Sequence, residues 1–245
     1  MQYMGSKNRI AKHILPTMLE YRKEGQFWVE PFVGGANMID KVTGNRIGAD
    51  IHNYLIALLQ ALQAGYVPPT EVSKEQYYDI KSSPEKYSPE LVGFVGFLCS
   101  FGGKWWGGYA KDSRGDNYAE RGSRVLTKQA LKLKSINFVS CGYKNLIIPT
   151  NSLIYCDPPY EGTTKYRDNF NHLEFWQWCR DKVKEGHTVF ISEYNAPNDF
   201  TCLKELEHKI ILNKNSQYKK RVDKLFTYRR TTASITGNSP EPPEG

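Results

Sequence analysis

Apolar positions recur along this chain with two different periods. From Asn8 to Tyr21, Ile10, Ile14, Leu15, Met18 and Leu19 fall at helical spacing, and Gly25 ends the run. "FWVEPF" then reads as a short aromatic and β-branched strand, "VGGANM" as a glycine-bearing turn, and "NRIGAD" as a second strand closing on Asp50. "NYLIALLQAL" returns to the helical period, with Leu55, Leu58, Leu59 and Leu62 on one face. Later, "INFVS", "SLIYC" and "HTVFISE" predict strands. "HLEFWQWCRDKVKEG" predicts a helix stopped by Gly186, and "KLFTY" a final strand.

The middle of the chain breaks this pattern. "VPPTEVSKEQYYDIKSSPEKYSPE" is polar and punctuated by proline. "LVGFVGFLCSFGGKWWGGYAKDSRGDNY" is rich in glycine and aromatic residues and then turns basic. Residues 67–133 therefore read as an inserted subdomain of helices and loops. Strand–helix alternation on either side of it, over 1–66 and 134–230, predicts an α/β domain. Its sheet is mainly parallel, with helices on both faces. Residues 231–245 are small, polar and proline-rich, and predict a disordered tail.

Composition narrows the class. Of 245 residues, 40% are hydrophobic and 24% charged, the ordinary balance of a globular protein. No apolar stretch approaches the roughly 20 residues of a membrane helix. "MQYMGSKNRIAKHIL" has basic residues but no uninterrupted apolar run after them, so it does not read as a signal peptide. Cys99, Cys141, Cys156, Cys179 and Cys202 form no CxxC pair. They read as free thiols of a cytoplasmic protein rather than as disulfides or a metal site. The formal charge is +7, and residues 101–135, with eight basic and three acidic side chains, hold five of those charges. Such an excess suits a polyanion-binding face or a solvated surface segment.

In a parallel sheet, ligands gather at the carboxyl ends of the strands. Several stretches put chemistry at that edge. In "VEPFVGGAN", Gly34 and Gly35 allow close backbone approach and Glu30 can accept hydrogen bonds, although such a turn serves structure as readily as a ligand. It is neither GxGxxG nor a P-loop. Asp50 suits ribose hydroxyls, or equally the N-cap of the following helix. In "YMGSK", Lys7 sets a cation beside a turn, where a ligand carboxylate could be met. "DPPY", after the apolar "LIYC", is the most informative. Its prolines preset the backbone around the Asp157 carboxylate and the Pro158 carbonyl, and Tyr160 offers a stacking face. Two acceptors and a platform suit an exocyclic amine on a planar ring.

These stretches, in this order, resemble the Dam-type (D12 class, alpha group) family of DNA adenine-N6 methyltransferases over about Gln2 to Tyr228. The resemblance implies a Rossmann-like methyltransferase sheet carrying a target-recognition insertion. It implies S-adenosylmethionine (SAM) as methyl donor and no metal. The implied activity is that of a site-specific adenine DNA methyltransferase (EC 2.1.1.72), acting on a flipped-out adenine of double-stranded DNA. By the same resemblance Asp157, Pro158, Pro159 and Tyr160 form the catalytic tetrapeptide. Tyr3, Lys7, Glu30, Phe32, Gly34, Gly35, Asp50, Ile51, Cys141, Tyr143 and Asp157 line the cofactor. Gly142 falls in the same stretch. The family often has an acid where this chain has Cys141, and a Gly-x-Gly where this chain has Val33-Gly34-Gly35.

A flipped base needs its duplex held, so the basic insertion gains a task. Lys104, Arg114, Arg121 and Arg124 become candidate DNA contacts, with phosphate the commoner partner of any one of them. Trp105 and Trp106 read as packing residues. The expected protein is a monomer or weak dimer, bacterial or phage-encoded and without a membrane partner. Cytosine-N4 or RNA adenine methylation, and a non-catalytic DNA-binding module on the same fold, are the alternatives.

Overall fold

The computed structural model describes residues 1–110, 117–161, 170–211 and 218–229, with the backbone alone considered at 208–211 and 218–221. The predicted tail, 231–245, lies outside these residues, as does Arg114.

The N-terminal helical stretch forms as a short 3-10 turn, Lys7–Arg9, followed by α1, Ala11–Leu19. β1 (Trp28–Glu30), β2 (Arg46–Asp50) and α2 (Asn53–Gln63) follow where the periods placed them. The middle of the chain supplies α3 (Lys74–Ser82), α4 (Pro89–Leu98) and α5 (Tyr118–Leu133). Then come β3 (Ile136–Ser140), β4 (Leu153–Cys156), α6 (His172–Lys184) and β5 (Thr188–Glu193). β6 (Phe200–Ile211) and β7 (Tyr218–Tyr228) close the chain.

The sheet has seven strands in the order β3-β2-β1-β4-β5-β7-β6. β3, β2, β1, β4 and β5 pair in parallel, and β7 is antiparallel to both of its neighbours. The chain lays β2 and β3 on one side of β1, then crosses back to put β4 on the other. The strand order therefore reverses beyond the carboxyl ends of β1 and β4, the place where such sheets bind ligands.

Side chains alternate across the sheet, as the period of two requires. Trp28, Leu153, Tyr155 and Phe190 join one buried cluster, together with apolar faces of α1, α2, α4 and α5. Val29, Ile154, Cys156, Val189 and Ile191 join a second, beneath Phe175, Trp176 and Cys179 of α6. Both sheet faces are thus covered, and the expected α/β architecture with helices on two sides is what forms. α4 lies so close to α2 that a Cβ on Gly93 would come within 2.2 Å of the Tyr54 carbonyl oxygen. Trp105 and Trp106 pack as expected: Trp105 sits 4.2 Å from His52 and Trp106 5.2 Å from Tyr77, centroid to centroid.

β6 is the element that periodicity missed. "FTCLKELEHKII" alternates charges with few apolar side chains, and its ladder with β7 carries an irregularity at Cys202–Lys204. An edge strand built on a hairpin ladder needs little core-facing surface, so it leaves a faint apolar pattern.

Candidate active site

Each strand of the parallel half ends in a residue of the candidate site or directly before one. β1 ends in Glu30, β2 in Asp50, and β4 one residue before Asp157. The N-terminal segment folds across these tips. Tyr3 lies on the glycine turn: a Cβ on Gly34 would stand 2.9 Å from its ring. On Gly35 it would stand 2.8 Å from both Tyr3 Cβ and Asn37 Nδ2. The close approach that these glycines permit is therefore, in this structure, the approach of the chain's own N-terminal segment.

The same segment delivers Lys7 to the tetrapeptide. Lys7 Nζ is 3.0 Å from Asp157 Oδ1 and 4.4 Å from the centroid of the Tyr160 ring. Its ammonium also donates to the Gly5 carbonyl at 3.2 Å. Burial pushes the Asp157 carboxyl up from its ordinary value, and the Lys7 cation opposes that rise. Burial also raises the Tyr160 phenol well above its usual range, with Asp157 adding to the effect. Tyr160 meets Tyr194 edge to face at 4.5 Å.

Asp50 accepts from two backbone groups, Gly34 N–H at 3.1 Å and His52 N–H at 3.0 Å. Burial raises its carboxyl, and those N–H groups pull it back. It is not the N-cap of α2. That place belongs to His52, whose side chain accepts from the Leu55 N–H, so the helix-capping alternative is set aside. Asp50 instead braces the glycine turn against the tip of β2. Beside it Ile51 is 81% exposed, a large apolar side chain left bare at the sheet edge. The Cys141 N–H bonds the Asp50 carbonyl at 3.1 Å, which brings the end of β3 to the same place.

Glu30 is buried, and the Trp28 indole N–H donates to it at 2.8 Å. Burial holds its carboxyl well above the ordinary range. Phe32 and Tyr143 stand 5.3 Å apart, centroid to centroid, and Phe170 and Phe175 complete an aromatic wall around them.

The basic candidates separate. The Gly103 carbonyl accepts from Met4 N–H at 3.2 Å, so Lys104 follows a loop docked on the N-terminal segment. Arg121 reaches the Gln2 side chain at 3.2 Å and lies over Tyr118. Arg124 is exposed one turn further along α5. The far end of α5 leaves this edge: the Arg46 guanidinium, at the start of β2, bonds the Lys132 and Lys134 carbonyls.

One residue at this edge escaped the sequence reading. Glu193, the last residue of β5, is 2% exposed and accepts from Glu161 N–H at 3.2 Å and Tyr194 N–H at 2.7 Å. Its signal was present. "TVFISE" is an apolar run closed by an acid, the same pattern that singled out Asp50 and Asp157. Among the described residues no helix is long and apolar enough to cross a membrane, and no cluster of His, Cys, Asp and Glu is set to hold a metal ion.

Comparison with known proteins finds three likenesses. Residues 3–90 match the model of the D12 class N6 adenine-specific DNA methyltransferase family. The chain is 23% identical over 248 aligned positions to the type II methyltransferase M.FokI of Planomicrobium okeanokoites, a match covering 89% of this chain and 38% of that one. The chain thus spans well under half the length of this curated relative. Among solved structures, a crystal structure of SMU.472, described as a methyltransferase complexed with SAH, aligns with a TM-score of 0.36 at 10% identity. That alignment covers 91% of this chain and 52% of the other. The resemblance to the D12 class read from the motifs is borne out by the first two matches.

Proposed function

We propose that this protein transfers a methyl group from SAM to the N6 amine of an adenine flipped out of duplex DNA. The observation that carries the reading is the meeting of Asp157 and Tyr160 with Lys7 at the carboxyl edge of a seven-stranded sheet. The family match over residues 3–90 supports the substrate class.

The donor set at this edge fits SAM. Asp50 offers carboxylate oxygens to ribose hydroxyls, and the bare Ile51 side chain offers an apolar surface to a planar base. Lys7 stands at the same edge, paired with Asp157. Phe32, Tyr143 and Cys141 close the neighbouring wall. Bound there, SAM supplies a methyl group already activated by its sulfonium.

The remaining chemistry falls to the chain's own groups. The exocyclic amine of adenine is a poor nucleophile, because its lone pair is delocalised into the ring. Hydrogen bonds from that amine to the Asp157 carboxylate and the Pro158 carbonyl draw the nitrogen toward tetrahedral geometry and localise the pair. Tyr160 provides a face for the ring. The proton shed by the nitrogen has the Asp157 carboxylate as its nearest acceptor. Positioning and electrostatics supply the catalysis. Reaching the amine requires unstacking the base, which costs a few kcal/mol. Lys104, Arg121 and Arg124, in the proposed recognition unit 67–133, offset part of that cost by holding phosphates.

The test is direct. Purified protein, tritiated SAM and genomic DNA should yield N6-methyladenine on hydrolysis. Asp157→Ala should fold and bind DNA but transfer nothing. N4-methylcytosine as product, or full activity in the Asp157 variant, would overturn the assignment.

A further inference from the structure

We infer that Glu193 is a positioning residue for the tetrapeptide, a buried clamp that sets the Tyr160 ring and, through it, the seat of Lys7 on Asp157. The inference rests on the methyl-transfer reading above.

A carboxylate this deep at a sheet edge is costly unless its oxygens are bonded. Glu193 uses them on two different segments. One oxygen takes the N–H of Glu161, the residue immediately after Tyr160, at 3.2 Å. The other takes the N–H of Tyr194 at 2.7 Å. The Tyr194 ring is in turn the one that meets Tyr160 at 4.5 Å and 89°. A single side chain therefore ties the backbone just after Tyr160 to the backbone of Tyr194, the residue whose ring packs on Tyr160. The strand register explains the reach: Cys156 pairs with Ile191, so Glu193 stands two residues past that pair, level with Pro158.

The consequence passes down a short chain of contacts. Lys7 Nζ lies over the Tyr160 face at 4.4 Å and against Asp157 at 3.0 Å. If the chain at 161 is released, Tyr160 can shift, and the cation and the stacking face lose their common support.

The ionisation of the clamp is set by its surroundings. Burial lifts the Glu193 carboxyl to about 7, the two N–H groups oppose this, and the Asp157 and Glu161 carboxylates add to it. From β7, Lys224 is in register with Glu193 but its Nζ is paired with Glu205 at 3.1 Å. Asp223, the neighbour of Lys224, acts electrostatically on Asp157 and Tyr160. Lys7 remains engaged with Asp157.

The experiment compares wild type, Glu193→Gln and Tyr194→Leu in steady-state methylation of plasmid DNA, with kcat, both KM values and the pH profile of kcat recorded. Gln keeps one acceptor and loses the second. The expected result is a kcat lowered on the order of tenfold in each variant, as for a misplaced catalytic group, with the KM for SAM and for DNA within about twofold of wild type. Wild-type kcat should fall as pH drops through about 7, and Glu193→Gln should lose that inflection. An unchanged kcat and profile in Glu193→Gln, beside an active wild type, overturns the clamp. So does a rise in both KM values with kcat intact. If Glu193→Gln does not fold, Tyr194→Leu decides by the same kcat and KM criteria. Wild-type protein that methylates no DNA overturns the methyl-transfer reading, and the clamp with it.

Discussion

Lys7 Nζ and Asp157 Oδ1 stand 3.0 Å apart, although 150 positions of sequence separate the two residues. The pair joins the turn "MGSK" to the tip of β4. It puts a cation on the group proposed to grip the adenine amine. It also opposes the burial that raises that carboxyl.

Replacing Lys7 with Ala should therefore raise the Asp157 carboxyl further. If ionised Asp157 is the active form, kcat rises with pH through its pKa, as an inflection separate from the one that Glu193 gives at about 7. The acid limb of the variant should then move to higher pH, with activity partly recovered in alkaline buffer. A pH series of kcat for the two proteins checks this, and coincident limbs would refute it.

Glu30 makes a prediction about stability. Its folded carboxyl lies well above the ordinary 4.5 because burial favours the neutral form. As pH rises past 4.5 the unfolded chain releases its proton first, so the contribution of Glu30 to stability falls with rising pH. Gln can still accept the Trp28 indole N–H and carries no charge. Glu30→Gln should raise Tm at about pH 8, and by less at about pH 5. Calorimetric melts at both values decide it, and a lower Tm at both would contradict the burial argument.

Gly35→Ala tests the seating of the N-terminal segment. The new methyl would meet Tyr3, Asn37 and Met1 at 2.8–2.9 Å. Overpacking of this kind costs about 1–3 kcal/mol. The measurements are urea unfolding and SAM binding by calorimetry. Both should weaken, because the displaced segment carries Lys7. Wild-type values in both would show that the segment relaxes freely.

Neutralising Arg121 and Arg124 together should weaken DNA binding and flatten its salt dependence, by about 0.9 in the logarithmic slope for each phosphate that the variant no longer neutralises. Fluorescence anisotropy across a salt series reads that slope. An unchanged slope would show that neither residue holds a phosphate.

Much of this architecture was legible in order along the chain. The strands "FWVEPF", "NRIGAD", "INFVS", "SLIYC" and "HTVFISE" form where period and composition placed them; β1, β4 and β5 are buried runs in the middle of the sheet, and β3, beside β2, keeps Ile136 and Phe138 inside and turns Asn137 and Ser140 outward. Glu30, Asp50 and Asp157 were legible because a run that must be buried and then meets an acid marks the sheet edge; Glu193 carries the same signal and was passed over. β6 was not legible, since an edge strand is held by its ladder with β7 and leaves a weak side-chain pattern.

The sequence by itself determined which residues stand at the strand tips, and a local motif was enough for Asp157, Pro158 and Tyr160. Only the tertiary structure decided what faces what. It turned the glycine turn toward Tyr3 rather than leaving it open. It gave the cap of α2 to His52 and tied Asp50 to Gly34. It laid Lys7 on Asp157 and brought Glu193 behind Tyr160. The physical reason is range. Hydrophobic period and turn chemistry act over a few residues and are written locally. An ion pair or a buried carboxylate clamp depends on strand order and register, which exist only once β1, β4 and β5 lie side by side.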